Sequence, residues 1–294
     1  MTTSHSPEAA QAAGRRRWTA LRQVIRTAPL SAIGGGIFVA ILLASLVGPF
    51  LTPYNPLQQN VQARLQPASL AHPFGTDNFG RDILSRVLHG GRSIFALTGA
   101  ATALAVGIGL LLGLSVGYLG GLLDDVLMRL FDALLALPPL LLTLLLLGGL
   151  GSSRLTVLLA TVILYVPIVT RVVRSVVLDI KTRAFIEAAE VQGESVSYIL
   201  FREILPSVMP TLAVEAALRF SYAIFLVASL GFLGIGVTRP EPDWGLMVNE
   251  AREWYALAPW MLTYPAAAIA LLVVSINLMT DGLRRVFQFA EAPR

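Results

Sequence analysis

Six stretches of this chain stay apolar long enough to cross a bilayer, with polar segments between them. They run over 29–51, 94–118, 126–150, 155–178, 208–235 and 259–283. Each offers about the twenty residues needed to traverse a hydrocarbon core of roughly 30 Å. Runs of this length, with no alternation of period two, predict helices, because backbone in lipid must satisfy its own N–H and C=O groups. The expected fold class is an all-α integral membrane protein with six transmembrane helices. The expected divisions are a tail at 1–28, a first helix at 29–51, a loop at 52–93 and a five-helix core at 94–285. Within that core lie a connection at about 179–206 and a loop at about 237–258, and a second tail closes the chain at 286–294.

Composition agrees with the pattern. Of 294 residues, 55% are hydrophobic and only 14% charged, against about 25% charged in a soluble domain. The formal charge of +4 comes from arginines scattered beside the spans. No basic stripe with interleaved aromatics appears, so the expected contact is membrane lipid and no nucleic acid. The absence of cysteine excludes thiolate clusters, disulfides and thiol catalysis. The run at 29–51 is longer than a signal-peptide core and lacks a small-residue cleavage site, so it reads as a retained span.

Charge also orients the chain. Arg15, Arg16, Arg17, Arg22 and Arg26 precede the first span, and Arg171, Arg174, Lys181, Arg183 and Arg202 surround the fourth–fifth connection. Arg284, Arg285 and Arg294 follow the sixth span. Six crossings put all three groups on one side, which the positive-inside rule makes cytoplasmic, with both termini. Loop 52–93 carries Arg64, Arg81, Arg86 and Arg92, but long loops translocate with little regard to charge.

The cytoplasmic connection is a helix-favouring island between two spans. Residues 182–192 predict a short helix with Phe185, Ile186, Ala188 and Ala189 as apolar surface. Gly193 suits its C-terminal end, where a left-handed backbone disfavours residues with a Cβ. Ser195 is placed to cap a second helix at 196–205, and Pro206 fits the first turn of the fifth span. A rod held this way can pass a rigid-body push to the spans, or can be a plain interfacial connector.

Inside the spans, Ala101, Ala105, Gly109, Gly113 and Gly117 recur every four residues. Small residues at that spacing let helices approach closely in lipid, here against a neighbour in the chain or a partner subunit. Glu215 and Arg219 are four apart on the fifth span and can pair on one face, while Arg129 and Asp132 lie near the start of the third. Pro138, Pro139, Pro167 and Pro265 fall within spans, as kinks at a pathway or tolerated bends. His5, His72 and His89 have no partner at metal-ligand spacing. No phosphate-binding Gly-x-x-x-x-Gly-Lys-Ser/Thr loop, nucleophile elbow or His-Glu-x-x-His occurs, so no cofactor is expected on this chain and it is not expected to be an enzyme.

Four strings together carry a resemblance. They are Glu187-Ala188-Ala189, three residues, Gly193, then Leu205-Pro206; the segment from His72 to Arg86; Gly231-Phe232-Leu233-Gly234-Ile235-Gly236 followed by Pro240, Pro242, Trp244 and Gly245; and Asn277-Leu278 with Asp281-Gly282-Leu283-Arg284. The chain resembles the permeases of ATP-binding-cassette importers, and within them the C-type subunit of the dipeptide, oligopeptide and nickel branch. Glu203 stands where the signature often has isoleucine; that branch commonly has a polar residue there.

The resemblance implies a type I importer bundle with a cytoplasmic coupling helix, in a prokaryotic plasma membrane. It implies a second homologous permease subunit, two cytoplasmic ATPase subunits or domains that use ATP and Mg, and an external substrate-binding protein. Cargo would be peptide, or alternatively nickel or another small solute. Arg183, Phe185, Glu187, Ala188, Ala189, Gly193, Leu205 and Pro206 would form the coupling loop, with Arg183 and Glu187 at the rim of an ATPase groove and Phe185, Ala188 and Ala189 inside it. Asp77, Arg81, Asp82, Trp244 and Trp254 would lie on an external docking surface. Two readings of other classes stand beside it: an ion-coupled secondary transporter, for which the Glu215–Arg219 pair makes a poor relay, and a membrane-embedded enzyme or scaffold.

Overall fold

The computed structural model describes residues 29–236 and 240–291. The arginine-rich tail at 1–28, with His5, the head of the second loop at 237–239, and 292–294 lie outside the described residues. Among the described residues the helices of eight residues or more are α1 (Pro29–Leu51), α2 (Ile83–Leu119), α3 (Gly121–Leu135), α4 (Pro139–Leu150), α5 (Arg154–Ile180), α6 (Ala184–Val191), α7 (Leu205–Phe232), α8 (Trp244–Ala251) and α9 (Trp260–Glu291). The helix expected at 196–205 is a single α turn, Val196–Tyr198, capped by Ser195 and continued by a π-helical stretch. Five segments among the described residues are long and apolar enough to span a bilayer, and the pair α3–α4 makes a sixth if counted as one.

The third span is not the unbroken helix expected at 126–150. Its halves α3 and α4 meet at 91°. Pro139 opens α4, and Pro138 before it is extended at φ −54, ψ 135. A residue preceding proline is driven out of the α region, so the ladder stops there. Pro167 and Pro265, by contrast, sit within continuous helices.

α2 starts well before the expected 94, because Asp82 caps it, accepting a 2.7 Å bond from Ser85 N–H. Its first turns are polar yet buried in protein, a setting that hydropathy alone misses. Ahead of α7 the backbone runs through a π-helical stretch, Ile199–Ile204, in which Leu205 N–H bonds to Leu200 C=O. Pro206 cannot donate, which favours a widened turn at this entry. α9 continues past 285 to Glu291.

α2 and α5 lie side by side and run in the same direction. Gly109, Gly113 and Gly117 face Val169, Val173 and Val177, and a Cβ on each glycine would come within 2.6–2.8 Å of the valine Cβ. The small-residue stripe is therefore a seam within this chain. α1 packs on α9, with Gly34 against Leu278 and Ser275. Phe38, Phe95 and Phe220 tie α1, α2 and α7 together through edge and tilted ring contacts.

Candidate coupling helix, loop clamp and intramembrane pair

The short helix α6 is stopped by backbone geometry. Gly193 has φ +76, its N–H bonds to Glu190 C=O at 3.0 Å, and Glu194 N–H reaches back to Ala189 C=O at 3.1 Å. These two bonds form a Schellman ending, which needs the left-handed residue that glycine supplies most readily. A Cβ there would meet no atom within 4 Å, so the constraint is conformational, not steric crowding.

One face of α6 is fixed to the bundle. Ile186 and Ala189 are buried in a cluster with Leu114 of α2, Val173, Val177 and Ile180 of α5, and Ile204 and Val208 at the entry of α7. Tyr118 O–H donates to Glu190 at 2.7 Å, and Lys181 Nζ donates to Gly117 C=O at 3.3 Å. Arg174 grips both oxygens of Asp124 at 2.6 and 2.5 Å, joining α5 to α3. α6 is thus packed and hydrogen-bonded against the ends of α2, α5 and α7.

The opposite face is exposed among the described residues. Phe185, Glu187, Ala188 and Val191 are exposed, as are Gly193 and Pro206, while Leu205 is half-buried. Arg183 pairs with Asp179 at 2.7 Å. One expectation changes: Ala189 points into the chain's own core and cannot enter a groove on a partner. With Ile186 it repeats every three residues on the inner face, and Phe185, Ala188 and Val191 repeat on the outer.

The other end of the bundle carries the 52–82 segment and α8. Arg81 bonds Asp77 at 2.5 Å and Glu250 of α8 at 3.0 Å, and Arg86 reaches the same Glu250 oxygen at 2.9 Å. All four side chains are at most 8% exposed, so this is a buried network in which each charge depends on the others. Asp82 caps α2 and accepts from His72 at 2.9 Å. Trp244 is buried, donates to Val87 C=O at 2.7 Å, and lies on Gly90 and Gly91, where any Cβ would collide with its ring.

These positions overturn part of the docking surface expected from the sequence. Asp77, Arg81, Asp82 and Trp244 are all under 5% exposed and cannot touch a docked protein. They clamp the two loops to α2 instead. Trp254 is half-buried beside the same core.

Asp243, the N-cap of α8, accepts from Leu246 N–H at 3.0 Å, while its Oδ2 has no hydrogen-bond partner. Burial pushes its carboxyl above the ordinary aspartate value, opposed by backbone N–H bonds and by Arg154.

Midway along α7, Glu215 and Arg219 sit 2.7 Å apart. The contact is close but misaligned, and neither Oε1 nor Nε makes a hydrogen bond. The Arg219 guanidinium lies over Tyr165 of α5 and Tyr222 of α7, at 5.6 and 4.9 Å from the ring centres.

Comparison with known proteins matches residues 109–290 to the family described as binding-protein-dependent transport system inner membrane component. Residues 17–68 match the N-terminal transmembrane domain of oligopeptide transport permease C. The chain belongs to this family of importer permeases. It is 38% identical to the dipeptide transport system permease protein DppC of Alkalihalophilus pseudofirmus, over 91% of this chain and 88% of that one. It is 37% identical to the probable D,D-dipeptide transport system permease protein DdpC of Escherichia coli, over 89% and 88%. It is 38% identical to the glutathione transport system permease protein GsiD of Pectobacterium atrosepticum, over 86% and 85%.

This is a permease of the peptide branch of ATP-binding-cassette importers, built as an all-helical multi-pass bundle. Sequence reasoning about the permease missed Glu250, whose partners lie 164 and 169 residues away. It also missed Tyr118 and the two tyrosines around Arg219. Neither carries a local signal, since a lone tyrosine in a span reads as ordinary packing.

Proposed function

We propose that this permease moves peptides inward as one half of a pathway, the other half being a second homologous permease subunit. Two ATPase subunits or domains, using ATP and Mg, would grip the exposed face of α6 from the cytoplasm. An external binding protein would deliver cargo to the end that carries α8. Both chain termini would then be cytoplasmic.

The observation that carries this reading is the two-sidedness of α6. Its inner face shares a core with α2, α5 and α7, and its outer face leaves Phe185, Ala188 and Val191 exposed among the described residues. A rod of this kind converts an external push into a movement of three spans. Nucleotide-driven closure of the ATPases would bias a two-state bundle, and hydrolysis would reset it. Peptide as cargo is supported by the names of the relatives, which are dipeptide, D,D-dipeptide and glutathione permeases.

Reconstitution of the whole complex in proteoliposomes tests the proposal. Labelled dipeptide should accumulate only with both ATP inside the ATPase compartment and the binding protein on the opposite side. Accumulation by this chain alone under a proton or sodium gradient would overturn it in favour of a secondary transporter.

A further inference from the structure

Among the described residues two charged pairs lie within the spans and outside the coupling scheme, Arg171 with Asp132 between α5 and α3 and Glu215 with Arg219 on α7. Asp132 of the first is largely solvent-exposed, while both members of the second are mostly buried. An arginine and a glutamate at a helix centre each cost about 2.5–3.5 kcal/mol on insertion scales, and such residues face a bundle interior or a water-filled cavity. Ser207, Thr211, Glu215, Arg219 and Tyr222 all fall within about a third of the helix circumference at 3.6 residues per turn. Of these, Ser207, Thr211 and Tyr222 are exposed in the isolated chain. Leu218 and the exposed Phe225 share this arc, so the face is a polar track with apolar groups set along it. Toward the α6 end it continues into a cavity of about 680 Å³, lined by Ser207 and Thr211 together with Ser175, Asp179 and Arg183.

The chemistry of the pair points to what passes along that face. Arg219 is held between two tyrosine rings, and its buried Nε has no hydrogen-bond partner among the described residues. Its acidic partner among the described residues is Glu215, in contact but not aligned. A planar fork presented in this way takes a carboxylate in two parallel bonds. Once Arg219 is engaged, Glu215 is left as an acceptor for a cation. The two groups thus complement a zwitterion, with carboxylate to Arg219 and ammonium to Glu215.

We propose that Glu215 and Arg219 form a mid-membrane station that receives the free termini of a peptide in transit, exchanging their mutual contact for contacts with cargo. This rests on the reading that the permease carries peptides. The exposed tyrosine face of Tyr222 would line the same station, and the cavity toward α6 would be the exit.

The test uses the assembled complex in proteoliposomes, with uptake of a labelled dipeptide and binding-protein-stimulated ATP hydrolysis measured in parallel. Arg219→Gln should lower dipeptide uptake by about ten- to a hundredfold, the loss of a charge-assisted hydrogen-bonded contact, with assembly and stimulated hydrolysis unchanged. The double variant Glu215→Gln/Arg219→Gln leaves no unpaired charge and keeps both side-chain volumes close, so a purely structural pair would be relieved by it. The station predicts that the double variant stays as defective as the single one, and that Arg219→Lys recovers part of the uptake. Wild-type uptake by the double variant, or equal loss of assembly in all three, would overturn the proposal. If the wild-type complex moves no dipeptide at all, the peptide reading itself fails, and the station fails with it.

Discussion

Tyr118 at the end of α2 donates its hydroxyl proton to Glu190 of α6 across 2.7 Å, linking positions 72 residues apart. It is the one side-chain hydrogen bond in the described residues that fastens α6 directly to α2. The contact is solvated, so its net worth is about 0.5–1 kcal/mol. Tyr118→Phe is expected to lower peptide moved per ATP hydrolysed by about two- to fivefold, while basal hydrolysis stays constant. Parallel transport and phosphate-release assays on the reconstituted complex would show the split.

Gly193 offers a sharper change. Its φ of +76 costs a residue with a Cβ about 1–2 kcal/mol, most for a β-branched one. Gly193→Val should impair uptake with membrane insertion intact, and Gly193→Asn, which tolerates the left-handed region, should be milder. Western quantification of inserted protein alongside uptake separates the two effects. Wild-type uptake by the valine variant would show that the ending of α6 is immaterial to coupling.

At the other end, Glu250 holds Arg81 and Arg86 in a buried network. Removing one partner from such a network leaves uncompensated charge, at a cost of about 3–5 kcal/mol. Glu250→Ala should release the 52–82 segment from α8. Hydrogen exchange in that segment should rise, with exchange in α6 unchanged.

Much of this was readable from the sequence, and the failures have definite causes. The spans follow from apolar length, and the ending of α6 from a glycine where a left-handed turn is needed. The stripe through Gly109, Gly113 and Gly117 announced close packing but not its partner, which is set by valines on α5 sixty residues later. The prolines at 138 and 139 were visible, yet whether they bend or break a span depends on what packs around the break. The clamp was misread because charged residues in a polar loop look solvent-facing until the distant Glu250 is placed beside them. Ala189 was assigned to the wrong face of α6 because apolar residues there occupy both sides of a short helix.

Asp243 gives a pH dependence. Burial raises its carboxyl above the unfolded value of about 3.9, so the folded state binds the proton more readily than the unfolded chain. Its contribution to stability therefore increases as pH falls through the folded value and levels off below the unfolded one. Asp243→Asn keeps a capping acceptor for Leu246 N–H and removes the buried charge. That variant should melt higher than wild type at neutral pH, with the gap narrowing toward pH 4. Thermal melts of the purified protein at several pH values would record it.

The central claim is that the outer face of α6 meets an ATPase on the cytoplasmic side. The chain has no cysteine, so one introduced at Ala188 is unique. In intact cells it should resist a membrane-impermeant maleimide, and in inside-out vesicles it should crosslink to an ATP-hydrolysing subunit with a yield that changes between ATP and ADP. Labelling from outside the cell, or failure to capture any such subunit in either nucleotide state, would contradict the account.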